Sequence, residues 1–386
     1  MVLLHLMRWM RAKVDCDFEL LLLSGGDLEA KYAELARVTT VVDSTLAGSS
    51  PSRRVLEKIL SPRRLRRMRK KAGRRCAKRV LRNGNWDLVY VNTVAPARLF
   101  EGVNPLRCPI VCHVHEMRYA LELSRALPLL ERADRIIVPS DATRVDLEVF
   151  ASSVDGKVRV IYECVEREGR AEGHSPGSRE LRRALGIGPE DFVVGAVGTV
   201  DLRKGADLFL QLAIRLLRER NARPVRLLWI GEEPKERSAF ADFLRHDLAK
   251  LGLAESLRFT GGVDDVTPYY DLMDVLALTS REDPCPLVCI EAALREVPIA
   301  CFAGSGGAPE IFGDGAATIA PYLDATAMAD QIRALLADPE RRAAMGRRGA
   351  EIARKQHDVN EVAPQIWSLL EPLLSKAEPG GRRDPR

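Results

Sequence analysis

Short apolar segments alternate with segments of helical period along nearly the whole chain, and this alternation limits the possible folds most. Apolar runs bounded by Gly, Pro, Asp or Ser are typical of buried parallel strands, and helical segments between such strands are typical of βαβ units. The sequence therefore predicts an α/β fold. Ten strands are predicted, at residues 18–24, 87–92, 110–115, 134–140, 157–163, 192–198, 226–231, 256–261, 274–280 and 298–303.

The ten predicted strands fall into two series of five, separated by the polar segment EREGRAEGHSPGS. A chain of 386 residues with 46% hydrophobic content can bury two cores. We therefore expect two Rossmann-like domains that face a cleft, with a ligand near the carboxyl ends of the strands. The predicted parts are an N-terminal domain, a linker, a second domain, a helix packing back toward the first domain and a disordered tail, at 1–165, 166–178, 179–355, 356–375 and 376–386.

The chain begins with the helical pattern VLLHLMRWMRAK. A domain of this type should open with a strand and a glycine-containing loop, so the first domain is expected to lack its N-terminal strand. We expect the natural protein to carry about 15 to 25 further residues, enough for a strand and a loop. The intact mass of protein expressed from its natural locus tests this expectation.

Cysteine usage and hydropathy bear on the cellular compartment. The eight cysteines form no CxxC pair and no cluster spaced like a zinc site, so we expect reduced thiols and no metal. No apolar run approaches the roughly 20 residues that span a bilayer, and a signal-peptide cleavage site is lacking. A cytoplasmic protein is predicted, with a possible peripheral position at the inner face of the membrane.

Residues 53–82 carry fifteen Lys/Arg and one acidic residue, Glu57, in a chain whose net charge is only +5. The segment is either a solvated helix or a contact for an anionic membrane surface, because apolar residues lie among the charges. Nucleic acid is not expected, since interleaved aromatic residues and a recognisable binding module are lacking. Salt-dependent sedimentation with anionic vesicles would distinguish the first two alternatives.

The first chemically informative segment is GTVDLRKG, in which a predicted strand ends at Gly198 and a helix opens after Arg203, Lys204 and Gly205. Free backbone N–H groups and two cations at a helix N-terminus favour an anion site. Two surface cations beside a tight turn are the alternative.

The second segment, SREDPCPLVCIEAALREVP, places Asp283 before a helix predicted from Pro286 to about Glu296. Glu291 lies within that helix among apolar residues, where a carboxylate is costly without a partner such as ribose hydroxyls. A solvent-facing Glu291 is the alternative.

The third segment, FAGSGGAPEIFGDG, has a strand that ends in a glycine-rich loop, and glycines permit close approach of backbone to a phosphate or sugar. Each signal alone is weak. Three such features at the same edge of one predicted sheet favour a nucleotide-sugar site.

With these motifs the chain resembles the retaining glycosyltransferases of the GT-B fold, family GT4, most specifically between Gly198 and Gly315. The matching motifs are a Lys-Gly pair, two carboxylates eight positions apart and a GGxxE loop, at Lys204 and Gly205, Asp283 and Glu291, and Gly306, Gly307 and Glu310. The resemblance implies that the basic pair binds the donor diphosphate, that Asp283 and the glycine loop face the sugar, and that Glu291 holds the ribose.

Two departures from the family pattern bear on sugar specificity. Thr199 replaces the usual Arg after Gly198, so Arg203 is expected to supply that cation. The usual Glu-Gly-Phe-Gly is Asp283-Pro284-Cys285-Pro286 here. In the first domain the resemblance implies that His115 is the active-site histidine, and a structural histidine is the alternative.

The resemblance implies transfer of a sugar from a nucleotide diphosphate sugar to a glycan or lipid-linked acceptor hydroxyl, with retention and without a metal or other cofactor. No dedicated nucleophile is visible, and the neighbouring Asp264 and Asp265 do not form a DxD motif. The alternatives are an epimerase or hydrolase of the same fold and a non-catalytic nucleotide-sugar-binding protein. The base, the sugar and the acceptor are left open.

Overall fold

The computed structural model describes seven stretches of the chain, residues 1–42, 75–82, 84–101, 106–165, 177–219, 222–233 and 238–374. The chain separates into two compact units. Unit 1 comprises Met1–Val138, Leu147–Arg159 and Ala363–Arg386, and unit 2 comprises Pro139–Asp146 and Val160–Val362.

Three predicted features fall wholly or mostly outside the described residues. They are the basic segment up to residue 74, the linker at 166–176 and the tail at 376–386. The remainder of the basic segment, residues 75–82, is helical, and the Lys78 ammonium donates to the Glu101 carbonyl.

Unit 1 contains six described strands in two sheets. The strands are β1 (Glu19–Ser24), β2 (Arg37–Val42), β3 (Val89–Val91), β4 (Ile110–His113), β5 (Arg135–Val138) and β6 (Val158–Val160). β1 and β2 form one parallel pair, and the other four pair in the order β3-β4-β5-β6. All five strands that the sequence predicts in this half are present, and β2 is an additional one.

The helices of the first half are short apart from the one that opens the chain. They span Val2–Lys13, Glu29–Ala33, Ala97–Phe100, Arg118–Ser124, Leu127–Arg132 and Asp141–Phe150, and a 3₁₀ turn follows at Ser152–Val154. The first helix buries Leu4 and Met7 against Tyr32. Its apolar positions therefore pack in a small core.

Unit 2 is built on one sheet of six parallel strands. They are β7 (Phe192–Val197), β8 (Val225–Ile230), β9 (Leu257–Phe259), β10 (Val275–Leu278), β11 (Ile299–Phe302) and β12 (Ala317–Ala320). Their order is β12-β11-β10-β7-β8-β9, and every pairing is parallel. Five of the six strands are predicted from the sequence, and β12 is not.

Apolar side chains cover both faces of this sheet. Phe192 and Val194 of β7 belong to one buried cluster, whereas Val193 belongs to the other. The same alternation continues in β8, where Trp229 and Leu228 face opposite sides. Burial on both faces explains why these strands read as continuous apolar runs.

Helices cover the sheet of unit 2 on both faces, and the chain ends in a further helix. The helices span Ser178–Ala184, Ala206–Arg218, Ala239–Leu251, Thr267–Tyr270, Leu287–Ala293, Ala308–Phe312, Ala325–Ala337, Pro339–Gln356 and Val359–Leu374. The helix predicted from Pro286 to about Glu296 is shorter than expected, and Pro286 precedes its first residue. Over the seven described stretches, no helix combines the length and the apolar composition that a membrane crossing requires.

His357 is fully buried between the last two helices, and this burial opposes its protonation. Its Nδ1 lies 2.7 Å from the Glu163 carbonyl oxygen, and its ring lies beside Tyr162 and Phe312. Burial lowers the pKa of His357, although the Glu163 contact opposes this effect. The protonated form is therefore disfavoured in the folded protein.

This burial predicts a loss of stability in mild acid. The pKa of His357 in the unfolded chain is about 6.5, above the folded value, so the unfolded state takes up the proton first as the pH falls. The stabilising contribution is present above about pH 6.5 and is lost below it, with a slope of at most about 1.4 kcal/mol per pH unit. Urea unfolding between about pH 7 and pH 5 should show a shallower pH dependence for His357→Asn than for the wild type. Replacing the exposed His246 by Asn is the control, and equal slopes in His357→Asn and the wild type would contradict the assignment.

Candidate functional site

The strand order of unit 2 places a crevice at the carboxyl ends of β7 and β10. From β7 the chain proceeds outward through β8 and β9, and it then returns to β10 on the other side of β7 and proceeds through β11 and β12. Neighbouring strands from which the chain leaves in opposite directions form a topological switch point, where ligands of open α/β sheets bind. A ligand site is therefore expected at the loops after β7 and β10.

The loop after β7 is fixed by hydrogen bonds before it enters the helix Ala206–Arg218. The Trp229 indole donates to the Gly198 carbonyl at 2.8 Å, and the Asp201 carboxylate accepts from the Lys204 backbone N–H at 2.7 Å. Gly205 has a φ of 74°, and a Cβ there would lie 1.9 Å from the Thr279 carbonyl oxygen. Only glycine permits this approach between the two loops.

Lys204 and Asp283 meet at the switch point. The Lys204 Nζ lies 2.7 Å from the Asp283 Oδ2, with 17% and 8% of the two side chains exposed. The Ser280 hydroxyl also donates to Asp283, at 3.2 Å. The sequence predicted both charged residues as site residues, and the structure brings them into direct contact.

Arg203 is exposed, and its guanidinium donates to the Glu282 carbonyl at 3.0 Å. The backbone N–H of Arg281 donates to the Arg203 carbonyl at 2.8 Å, which joins the loops after β7 and β10 by a second contact. Both predicted cations therefore lie where the two loops touch.

The Arg281 side chain, in the loop after β10, stabilises the contact with the loop after β7. Its guanidinium donates to both oxygens of Asp207 at 2.9 Å and to the Leu202 carbonyl at 2.6 Å. The Asp207 hydrogen bond raises the pKa of Arg281, so the guanidinium stays protonated. The sequence analysis did not single out Arg281 or Asp207, although Arg281 lies inside a motif that it quoted and Asp207 lies two residues beyond another.

The glycine loop after β11 lies against Asp283. The Asp283 N–H donates to the Ser305 carbonyl at 2.8 Å, and the Gly307 N–H donates to the Asp283 carbonyl at 3.1 Å. Gly306 has a φ of 123°, and a Cβ there would lie 2.0 Å from the Asp283 carbonyl oxygen. Hydrogen bonds therefore join the backbone at Asp283 to the backbone of the glycine loop.

Glu291 is half-buried, as its position in an apolar helix predicts, and it has a protein partner. The Tyr270 hydroxyl donates to the Glu291 Oε2 at 2.9 Å, and Tyr270 itself is only 1% exposed. No sequence motif indicates Tyr270, because it lies 21 residues away on another short helix.

Glu310 caps a helix within unit 2. Its carboxylate accepts from the backbone N–H groups of Asp141 and Ala142, at 2.8 and 3.0 Å, where the helix Asp141–Phe150 begins. The Tyr162 hydroxyl also contacts Glu310, and burial followed by the Glu310 charge raises the pKa of Tyr162 to about 12. These contacts give Glu310 a structural task beside the binding role that the resemblance implied.

Two cysteines adjoin the site but are unreactive as nucleophiles. Burial raises the pKa of Cys285 and Cys289 well above the usual value of a thiol. Both therefore stay protonated near neutral pH. All eight cysteines of the chain are free.

His115 lies in unit 1, in the loop that follows β4. Its Nε2 lies 3.4 Å from the Asn92 Oδ1, and its ring centroid lies 4.1 Å from that of His113. The Glu116 carboxylate accepts from the His115 N–H at 3.0 Å and also contacts the Thr93 hydroxyl. A hydrogen-bonded cluster at the carboxyl ends of β3 and β4 thus positions this histidine.

The structure brings five predicted site residues together in unit 2, namely Arg203, Lys204, Asp283, Gly306 and Gly307. Gly198 and the exposed Thr199 lie at the start of the same loop. Glu291 is reached through the helix that Asp283 precedes. Trp229, Arg281 and Tyr270 are positioned by tertiary contacts, and sequence reasoning missed them.

Two family models match the chain in succession. The model described as Glycosyl transferases group 1 matches residues 177–352, and the model described as Glycosyltransferase Family 4 matches residues 4–168. Together they cover most of the sequence, including every residue of the candidate site.

Curated relatives are similar over part of their length. The D-inositol 3-phosphate glycosyltransferase of Corynebacterium urealyticum is 26% identical over 65% of this chain and 60% of the relative. The lipopolysaccharide core biosynthesis mannosyltransferase LpcC of Rhizobium leguminosarum bv. viciae is 28% identical over 64% of this chain and 66% of the relative. The chain thus spans less than two thirds of either relative.

Solved structures match nearly the whole chain. HepE from Anabaena, crystallised in complex with UDP and glucose, superimposes with a TM-score of 0.76 at 20% identity, over 96% of this chain and 95% of that one. WaaG, a glycosyltransferase involved in lipopolysaccharide biosynthesis, gives a TM-score of 0.69 at 16% identity over 98% and 95%. These matches confirm the predicted GT-B fold, an α/β fold with parallel sheets.

Proposed function

This chain belongs to the group 1 glycosyltransferases of family 4, and from that premise we propose that it transfers a sugar from a nucleotide diphosphate sugar to an acceptor hydroxyl. The acceptor is a glycan or a lipid-linked molecule, and the reaction retains the configuration of the anomeric carbon. The nucleotide sugar is the donor substrate, and the proposal includes no metal or other cofactor.

The contact between Lys204 and Asp283 carries this proposal. It places a cation and a carboxylate 2.7 Å apart at the switch point of the sheet, beside a loop whose glycines permit close approach. A cation at this point suits a diphosphate, and a carboxylate beside it suits sugar hydroxyls. The arrangement therefore supports a donor that carries both groups.

The proposed roles follow from these positions. Arg203 and Lys204 bind the diphosphate, while Asp283 with Gly306 and Gly307 faces the transferred sugar. Glu291 accepts hydrogen bonds from the ribose. In unit 1, we propose His115 as the active-site histidine that the family resemblance implies.

In the proposed reaction the acceptor oxygen forms a bond to the anomeric carbon on the face from which the diphosphate leaves. The bond between that carbon and the diphosphate oxygen breaks, and the diphosphate takes the electron pair and accepts the acceptor's proton. Arg203 and Lys204 stabilise its growing negative charge. Asp265, one of the adjacent acidic pair that lacks a DxD pattern, accepts from the Thr267 N–H at 2.9 Å.

The names of the relatives narrow the acceptor class that we propose. One relative is named for D-inositol 3-phosphate and another for the lipopolysaccharide core. The structural neighbour HepE was crystallised with UDP and glucose. We therefore propose an envelope glycan as the acceptor and a hexose as the transferred sugar, and a phosphorylated polyol is the alternative acceptor outside that class.

A thermal-shift screen followed by a turnover assay tests the proposed function. UDP, GDP, ADP and their hexose conjugates are compared, because a ligand that binds only the folded state at 100 times its Kd stabilises by about 2.7 kcal/mol. We expect one nucleotide family to raise Tm, and we expect its sugar conjugate to be consumed only when an acceptor is added. Consumption without acceptor would indicate a hydrolase or epimerase, and no shift with any nucleotide would refute donor binding.

A further inference from the structure

We propose that Tyr270 is the residue that positions Glu291 for the ribose, and thereby sets the preference of the site for ribonucleotides. The inference rests on the proposed function, since it assigns Glu291 to the nucleotide. Tyr270 lies in the helix Thr267–Tyr270, outside the loop after β7 and the glycine loop. Its proposed effect on the ribose is transmitted through Glu291.

The contact between the two side chains has the geometry of a charge-assisted hydrogen bond. The Tyr270 hydroxyl lies 2.9 Å from the Glu291 Oε2. Tyr270 is only 1% exposed, whereas Glu291 is half-buried. The hydroxyl therefore approaches the carboxylate from the interior of the fold.

A second contact fixes the backbone that carries this hydroxyl. Asp271, the next residue along the chain, pairs with Arg295, and their side chains are 2% and 7% exposed. The Arg295 Nε donates to the Asp271 Oδ1 at 2.7 Å. Glu291 lies within the helix Leu287–Ala293, and Arg295 lies in the turn that follows this helix. Tyr270 and Asp271 thus contact the helix and the turn that follows it, and these two contacts restrict the position of the Tyr270 hydroxyl.

A fixed Tyr270 hydroxyl restricts the rotamers of the Glu291 side chain. A glutamate side chain has three rotatable bonds, and without a fixed donor it samples several rotamers. A fixed O–H donor selects the rotamers in which Oε2 faces inward. The carboxylate is then held in one orientation, so the binding of ribose hydroxyls does not have to order it.

The experiment compares two ligands that differ only in the groups Glu291 would recognise. Calorimetry measures the Kd of the nucleoside diphosphate that the thermal screen identifies (UDP, GDP or ADP), and the Kd of its 2′,3′-dideoxy form. In Tyr270→Phe we expect the Kd of the ribonucleotide to rise about tenfold, on the scale of one hydrogen bond to a charged group. The Kd of the dideoxy form should change by less than about twofold.

The ratio of the two dissociation constants decides the outcome. A tenfold smaller preference for the ribonucleotide in Tyr270→Phe supports the inference, because a general loosening of the fold would weaken both ligands alike. An unchanged ratio overturns it. If the wild type binds none of the nucleotides, the proposed function itself has failed, and that result is distinguishable from a failure of Tyr270.

Two further variants isolate the pair. In a Glu291→Gln background, Tyr270→Phe should add little to the loss, since the two residues act as a unit. The matched control is Tyr269→Phe, which removes a hydroxyl one residue earlier from a half-buried side chain packed against the core. Its ratio should equal that of the wild type, and a ratio reduced as far as in Tyr270→Phe would also overturn the inference.

Discussion

Replacement of Lys204 by Ala is expected to lower turnover by about 10² to 10³, the scale for removing one group that stabilises charge in a transition state. The expected loss is large because Lys204 sits at the switch point, 2.7 Å from a carboxylate that is 8% exposed. Its removal takes away a cation from the proposed diphosphate site and leaves Asp283 with only the Ser280 hydroxyl among its described side-chain partners. Initial rates at saturating donor measure the effect.

The control for Lys204→Ala is Lys250→Ala, because Lys250 is an exposed lysine in the last turn of another helix of unit 2. That variant should retain wild-type turnover. Melting curves of both variants separate a loss of chemistry from a loss of folded protein. A Lys204→Ala enzyme that turns over at the wild-type rate would remove the diphosphate assignment.

The second large effect is expected at Gly205, where Ala should lower the free energy of unfolding by about 3 kcal/mol. Part of the loss is the left-handed backbone conformation, which costs a residue with a Cβ about 1 to 2 kcal/mol. The remainder is the collision of that Cβ with the Thr279 carbonyl oxygen at 1.9 Å, which forces the two loops apart at a cost of about 1 to 3 kcal/mol. Urea unfolding at neutral pH measures the sum.

Gly252 provides a matched control for Gly205. It has a similar φ of 66°, but no atom lies within 4 Å of the position that a Cβ would take. Gly252→Ala should therefore show the backbone cost alone, about 1 to 2 kcal/mol. Equal losses at the two glycines would mean that the approach to Thr279 contributes nothing.

Local sequence signals were sufficient to predict most strands and to indicate the charged residues of the candidate site. Runs such as FVVGAV fold as β7 because burial on both faces selects apolar residues throughout. β12 escaped prediction because its four residues ATIA include two alanines, which favour strands weakly. Its pairing with β11 is a tertiary contact that no local pattern records.

The contrast between local patterns and tertiary contacts also explains which residues of the candidate site the sequence indicated. Lys204, Asp283 and the glycine loop lie in short motifs whose spacing is visible along the chain. Tyr270 and Trp229 reach their partners across 21 and 31 residues, so their roles emerge only when the sheet is assembled. The sequence also indicated that Glu291 requires a partner, but it could not indicate that the protein itself supplies one.

The loops after β7, β10 and β11 are joined by backbone hydrogen bonds, from Arg281 to Arg203 and from Asp283 to Ser305. If one loop alone were replaced by that of a relative, the hydrogen-bond donors and acceptors of the neighbouring loops would therefore lose their partners. We infer that these three loops form one exchangeable module, in which natural variation at one loop is constrained by the other two. Engineering of a new donor preference should begin by exchanging all three together.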